Sequence, residues 1–212
     1  MIFLKILKKE MKYKIIFMLL FYVVYVILFV CSQKRLAYYD TFLEVISLIV
    51  ASSIWGEEQS MDIVLLTDAG LKKIMIARFI AIVLALCLLP GLHTFIFSSE
   101  GTRYRLTFVY VVTIFFNCSL AVLIRTIVND LMGSVIFSFS IYTILIFPGI
   151  LFGEVGDKIR KLPFYPMFSF DIARDSDFIR NRVVVCIMSV CLIGIAYFIL
   201  WYKEKKILKI NV

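Results

Sequence analysis

Charge is scarce in this chain, and histidine is nearly absent. Asp, Glu, Lys and Arg make up 18% of the 212 residues, and one histidine stands at position 93, where a soluble domain carries roughly 25% charged side chains. The five cysteines, Cys31, Cys87, Cys118, Cys186 and Cys191, all fall in apolar runs with no metal-like pairing, so they read as small buried side chains. No phosphate loop of the Gly-x-x-x-x-Gly-Lys-Ser/Thr type occurs, which removes ATP hydrolysis from this chain. The formal charge of +8 does not point to nucleic acid, because no Lys/Arg-rich face interleaved with aromatics appears. The basic residues cluster beside apolar runs, where a membrane protein sets them against anionic headgroups.

Apolar sequence is what the chain has in abundance. It is 62% hydrophobic with a mean hydropathy of +0.98, and its apolar runs approach the roughly twenty residues that cross a bilayer core. The expectation is an all-α, polytopic membrane protein: one transmembrane domain over residues 1–212, with six spans at about 15–31, 39–55, 74–97, 108–124, 131–152 and 183–202. In lipid each span is helical, since an open segment can satisfy its backbone in no other way. Pro90-Gly91 is expected to kink the third. Before the first, "MIFLKILKKEMKYK" sets Ile2, Phe3, Ile6 and Leu7 on one helical face and Lys5, Lys8, Lys9 and Lys12 on the other. It reads as an amphipathic helix in the membrane interface. It is not expected to be a signal peptide, since a full-length span follows the lysines with no small-residue cleavage pattern.

Six spans put both termini on one side. Lysines at both ends make that side cytoplasmic, with thirteen Lys and Arg against ten on the opposite side, six of those ten in the long loop 153–182. Trp55 and Trp201 fall at the expected cytoplasmic ends, where aromatic belts form.

Between the second and third spans lies "GEEQSMDIVLLTDAGLKKIMIAR". Residues 57–67 read as a short helix with Met61, Val64 and Leu65 on one face and Glu57, Glu58 and Asp62 elsewhere. Its first turn is acidic, as the helix dipole favours. Asp68-Ala69-Gly70 ends it, and Asp68 is an N-cap for a new helix from Leu71, with Lys72, Lys73 and Arg78 at the headgroups. The apolar stripe can rest on lipid or be offered to a protein.

The glutamate-bearing exit, the "MDIVLLT" helix, the turn and the basic "LKKIMIAR" entry together resemble the membrane-spanning permeases of type-2 ABC exporters. The order of parts agrees along the whole chain: an interfacial helix, six spans, and a long loop before the sixth. The resemblance implies that the connector is a cytoplasmic coupling helix, with Glu57, Glu58, Met61, Asp62, Val64 and Leu65 as the surface that docks on a separate ATPase. It also implies an exporter of two permease chains, identical or related, and two ATPase subunits that bind the ATP and Mg. No cofactor is expected on this chain. Where the family usually has a Gly-Thr pair and a turn proline, this chain has Gln59-Ser60 and Asp68-Ala69-Gly70. In the resembled exporters the segment before the sixth span forms short re-entrant helices that close the path on the outer side. Here that segment holds an aromatic patch, Phe164, Tyr165, Met167 and Phe168 with Leu162 and Phe170, between Pro163, Pro166 and charged flanks. An outer gate and an irregular loop resting on headgroups are both open to it.

Polar residues within the spans carry the remaining signals. Glu44 and Arg125 lie near span ends and are expected to snorkel to headgroups or pair locally. Asn117, with Ser119 near it, can bond across a helix interface, and His93 reads as a packing residue. Two protease chemistries fail on spacing. "MGSVIFS" lacks the Gly-x-Ser-Gly turn of membrane serine proteases, and in "GEEQSMD" Asp62 stands where a second protease class needs arginine. The expected function is therefore an ABC-exporter permease in the cell membrane of a bacterium, moving an amphiphilic or hydrophobic substrate: a peptide, a lipid-linked molecule or a drug. The alternative is a non-transporting anchor or immunity subunit that recruits a cytoplasmic partner through the same connector.

Overall fold

The structure, a computed structural model, describes residues 36–55, 70–97, 100–128, 130–151, 153–160, 162–166 and 178–210, together with Ile16, Leu19, Leu20, Tyr22, Val23, Val26 and Ile27, all seven helical. Among the described residues every regular element is a helix. These are α1 (Leu36–Ser52) with a 3-10 turn at Ser53–Trp55, α2 (Gly70–Phe97), α3 (Glu100–Ile127), α4 (Leu131–Leu151), α5 (Gly153–Arg160) and α6 (Phe178–Ile210). The apolar runs expected at 39–55, 74–97, 108–124, 131–152 and 183–202 lie in α1 with its 3-10 turn, α2, α3, α4 and α6. The helix through Pro90 continues unbroken to Phe97. The interfacial segment 1–14 and the connector helix 57–67 fall outside the described residues.

Among the described residues two stretches are long and apolar enough to cross a membrane, Tyr104–Ile127 of α3 and Phe178–Lys206 of α6, with 24 and 29 residues. At about 1.5 Å per residue both exceed a hydrocarbon core of about 30 Å. They occupy opposite places in the bundle: 72% of the α3 window is buried, against 22% of the α6 window. Helix α3 is the axis, in contact with α1, α2, α4 and α6, and it buries residues all round, among them Val109, Ile114, Phe116, Cys118, Ala121 and Val122. Ring pairs fix its neighbours. Phe115 meets Phe79 of α2 at 5.8 Å between centroids, and Phe108 meets Phe178 of α6 edge-on at 6.0 Å.

Helix direction follows from which ends meet. The Arg78 guanidinium near the start of α2 donates to the Ile54 carbonyl just past α1, so these two run antiparallel. Arg182 and Lys203 of α6 reach Thr113 and Thr126 of α3, so these two run parallel. Helices α3 and α4 form a hairpin with a capped return. Asp130 is the N-cap of α4: its Oδ2 accepts from the Gly133 amide and its carbonyl accepts from the Ser134 amide. A Cβ at Gly133 would stand 3.1 Å from that Oδ2 and 3.2 Å from Val128 Cγ1, so a larger residue there would have to push the cap aside by a few tenths of an ångström.

The outer surface is apolar. Ile136, Phe137 and Ile144 of α4, and Val183, Ile187, Val190, Ile195 and Phe198 of α6, are exposed, as are Ile16, Leu20, Val23 and Ile27, which recur at helical spacing. A soluble monomer rarely leaves so continuous an apolar surface to water.

Candidate functional site

Hydroxyls are admitted to this interior by bonding back to their own helix. Ser52, Thr126, Ser138 and Ser189 each donate to the carbonyl four residues earlier, so none needs a partner elsewhere. One group of polar side chains is different, because it reaches between helices.

Arg182, in the first turns of α6, is wholly buried. Its Nε donates to Asn181 Oδ1 at 2.8 Å, Nη1 to Thr113 Oγ1 of α3 at 3.1 Å, and Nη2 to the Tyr165 carbonyl at 3.4 Å. Asn181 uses its amide hydrogens on the same turn, donating to the carbonyls of Leu162 at 2.9 Å and of Pro163 and Tyr165 at 3.2 Å. The planar guanidinium fork makes this possible, since it serves a side-chain amide, a hydroxyl and a carbonyl at once. The turn 162–166 is thereby pinned to α6 and α3.

Deeper along the bundle the group continues onto α1 and α4. Tyr142 of α4 is buried, with Arg182 and Tyr165 in its electrostatic surroundings, and its hydroxyl stands against the Glu44 carboxyl of α1 and the Asn117 amide of α3. Asn117 Nδ2 donates to Ser47 Oγ of α1 at 3.0 Å, and Ser47 Oγ donates to the Glu44 carbonyl at 2.9 Å. Close as they are, Glu44 Oε1, Asn117 Oδ1 and the Tyr142 hydroxyl complete no hydrogen bond of regular geometry. Four helices and one turn thus contribute to a single buried polar group in an otherwise apolar bundle. Such side chains are costly to bury, and they mark functional positions by default.

A second set of charges sits at the opposite end of the bundle. Lys72 Nζ pairs with Glu204 Oε2 at 2.9 Å, and the Lys72 amide, in the first turn of α2, donates to Glu204 Oε1 at 3.3 Å. Lys203 Nζ donates to the Thr126 carbonyl at 2.7 Å, and Arg125 Nη1 to the Val128 carbonyl at 3.1 Å, so cations cover the C-terminal carbonyls of α3. Lys205 lies over the Trp201 ring, 3.9 Å from its centroid.

Of the residues singled out from sequence, Glu57, Glu58, Met61, Asp62, Val64, Leu65, Met167 and Phe168 lie outside the described residues. Phe164 and Tyr165 are parted: Phe164 is 54% exposed, whereas Tyr165 is 2% exposed and turned into the polar group. Asn117 bonds across a helix interface as expected, to Ser47 and not through Ser119, which donates to its own helix at Phe115. Glu44 departs from the snorkelling expectation, being packed among helices. Arg125 is buried too and pairs locally. Sequence reasoning passed over Arg182, Asn181, Thr113 and Tyr142. From sequence Arg182 reads as one more charge of the loop 153–182; its place directly before the apolar run that starts at Val183 is the one available signal.

Comparison with protein-family models, with curated proteins and with solved structures gives no match.

Proposed function

We infer that this protein is a six-span permease subunit of an ATP-binding-cassette exporter, with both termini cytoplasmic and with ATP hydrolysed on a separate ATPase pair. The observation that carries the reading is how the two ends of the charged connector are held. On one side the Ile54 carbonyl is gripped by Arg78; on the other, the first turn of α2 is tied to α6 through Glu204, in both its amide and its lysine. The helix ends that flank residues 56–69 are therefore tied to each other and, through α2, to α6. That is what coupling needs: a docking segment whose displacement biases the arrangement of the spans. The broad apolar exterior of α4 and α6 suits lipid or a second permease chain. A path between paired permeases lined by such residues suits an amphiphilic or hydrophobic cargo, such as a peptide, a lipid-linked molecule or a drug. The interfacial segment 1–14 and re-entrant helices in the loop before the sixth span complete the architecture.

The test is co-purification of the tagged full chain from its native membrane in mild detergent, beside a Met61→Lys, Leu65→Asp variant shown to insert normally. Wild type is expected to bring down a nucleotide-binding protein in stoichiometric amount, and the variant to lose it. Full retention by the variant, or no ATPase with wild type under several mild conditions, refutes the reading.

A further inference from the structure

Three buried oxygens from three helices meet in the bundle with no regular hydrogen bond among them. Glu44 Oε1 on α1, Asn117 Oδ1 on α3 and the Tyr142 hydroxyl on α4 each lack a hydrogen-bond partner, although the phenol stands against both of the others. The three side chains are 9%, 0% and 3% exposed, so bulk water does not serve them. An ionised carboxylate is acceptor only, so Glu44 depends on a donor from its neighbours. Asn117 spends one of its two amide hydrogens on Ser47, and the phenol brings a single hydrogen; no regular hydrogen bond reaches Glu44 Oε1 or Asn117 Oδ1. Charge counting agrees: among the described residues no lysine or arginine pairs with Glu44, and Arg182 directs hydrogens to Asn181, Thr113 and Tyr165. A buried carboxylate requires a compensating positive charge or a proton.

We propose that Glu44, Asn117 and Tyr142 form a binding site for one monovalent cation, a proton or a sodium ion, which ties α1, α3 and α4 together. All three ligands are hard oxygens and suit either occupant. A divalent ion is disfavoured, because one carboxylate would leave a net positive charge in the interior and calcium asks for six to eight oxygens. The site lies apart from the connector, and the proposal does not rest on the exporter reading. The other titratable or charged groups facing it are Tyr165 and Arg182 beside Tyr142, and Cys118, whose Sγ is 4.0 Å from the Ser47 carbonyl.

The test is thermal unfolding of the purified full chain in detergent. Sodium chloride is titrated against choline chloride at constant ionic strength, and the series is repeated from mildly acid to mildly alkaline pH. If sodium is the occupant, the melting temperature rises with sodium and not with choline, in proportion to the logarithm of its concentration above the dissociation constant. If a proton is the occupant, the melting temperature falls as pH rises in choline, and sodium adds nothing. Either response is expected to vanish in Glu44→Gln, whose amide carries no charge and supplies its own hydrogens. Tyr142→Phe removes one ligand oxygen and is expected to weaken the sodium response several-fold, or to shift the pH at which stability is lost. Wild type and Glu44→Gln responding alike to both titrations would assign the three oxygens to bound water and overturn the proposal. Should Glu44→Gln fail to fold, an undiminished response in Tyr142→Phe overturns it equally.

Discussion

The two ends of the bundle treat charge in opposite ways. At the lysine-bearing end Lys203 and Arg125 reach carbonyls at the end of α3 and Lys72 reaches the Glu204 carboxylate, in a pair whose side chains are 25% and 12% exposed. At the Arg182 end the charge is enclosed, and the hydrogen bonds it makes to Asn181, Thr113 and Tyr165 go to three separate segments. The first arrangement is modular, since losing one contact leaves the next intact. The second is shared, so removing one member orphans several others. Breaking the comparison therefore begins with Arg182→Ala. It leaves Asn181 Oδ1 and Thr113 Oγ1 short of a donor, while the Tyr165 carbonyl keeps the Asn181 amide, and it opens a cavity, at an expected cost of about 3 kcal/mol or more. Arg182→Lys should recover only part, because an ammonium cannot span the fork. Denaturant or thermal unfolding in detergent measures both, and a loss under about 1 kcal/mol for the alanine variant would make this end as modular as the other.

A middle-sized effect is expected where α1 meets α3. The Asn117–Ser47 bond is neutral and interhelical, and comparable bonds in membrane bundles are worth about 0.6–2 kcal/mol. A double-mutant cycle of Asn117→Ala and Ser47→Ala should return a coupling in that range. A coupling near zero would mean that the two helices are held by packing of the small residues around Ser47, Ala51 and Cys118 alone.

These ends were unequally legible in the sequence. The apolar runs gave the helices because a run of that length has few alternatives, and the Leu131 start of α4 follows from the local cap chemistry that Asp130 displays. The polar group was not legible. Glu44, Thr113, Asn117, Tyr142 and Arg182 come from four helices, and which faces turn inward depends on packing that apolar periodicity cannot report when every face is apolar. Helices α3 and α6 make the point. Both are hydrophobic all round, yet one is the axis and the other the rim. Long side chains near a span end are read as snorkelling because lipid is the assumed neighbour, and Glu44 shows how that assumption fails when the neighbour is protein.

The smallest effect sharpens the contrast most. Glu204 serves Lys72 twice, as an ion-pair partner and as an acceptor for a first-turn amide of α2, where a helix N-terminus favours negative charge. Lys72→Met removes the ion pair and the ammonium over the Tyr197 ring, 5.8 Å from its centroid, keeps the amide contact, and is expected to cost about 0.2–1 kcal/mol. Glu204→Ala removes both contacts and should cost about 1 kcal/mol. Salt separates the two ends further. Raising ionic strength should shrink the Lys72 effect, because the pair is partly open to solvent and the Debye length falls to roughly 3 Å at about 1 M. The Arg182→Ala loss should stay unchanged, because its contacts are enclosed. Unfolding of both variants at low and high salt reads this directly, and equal salt sensitivity at the two ends would show that the Arg182 group is open to solvent after all.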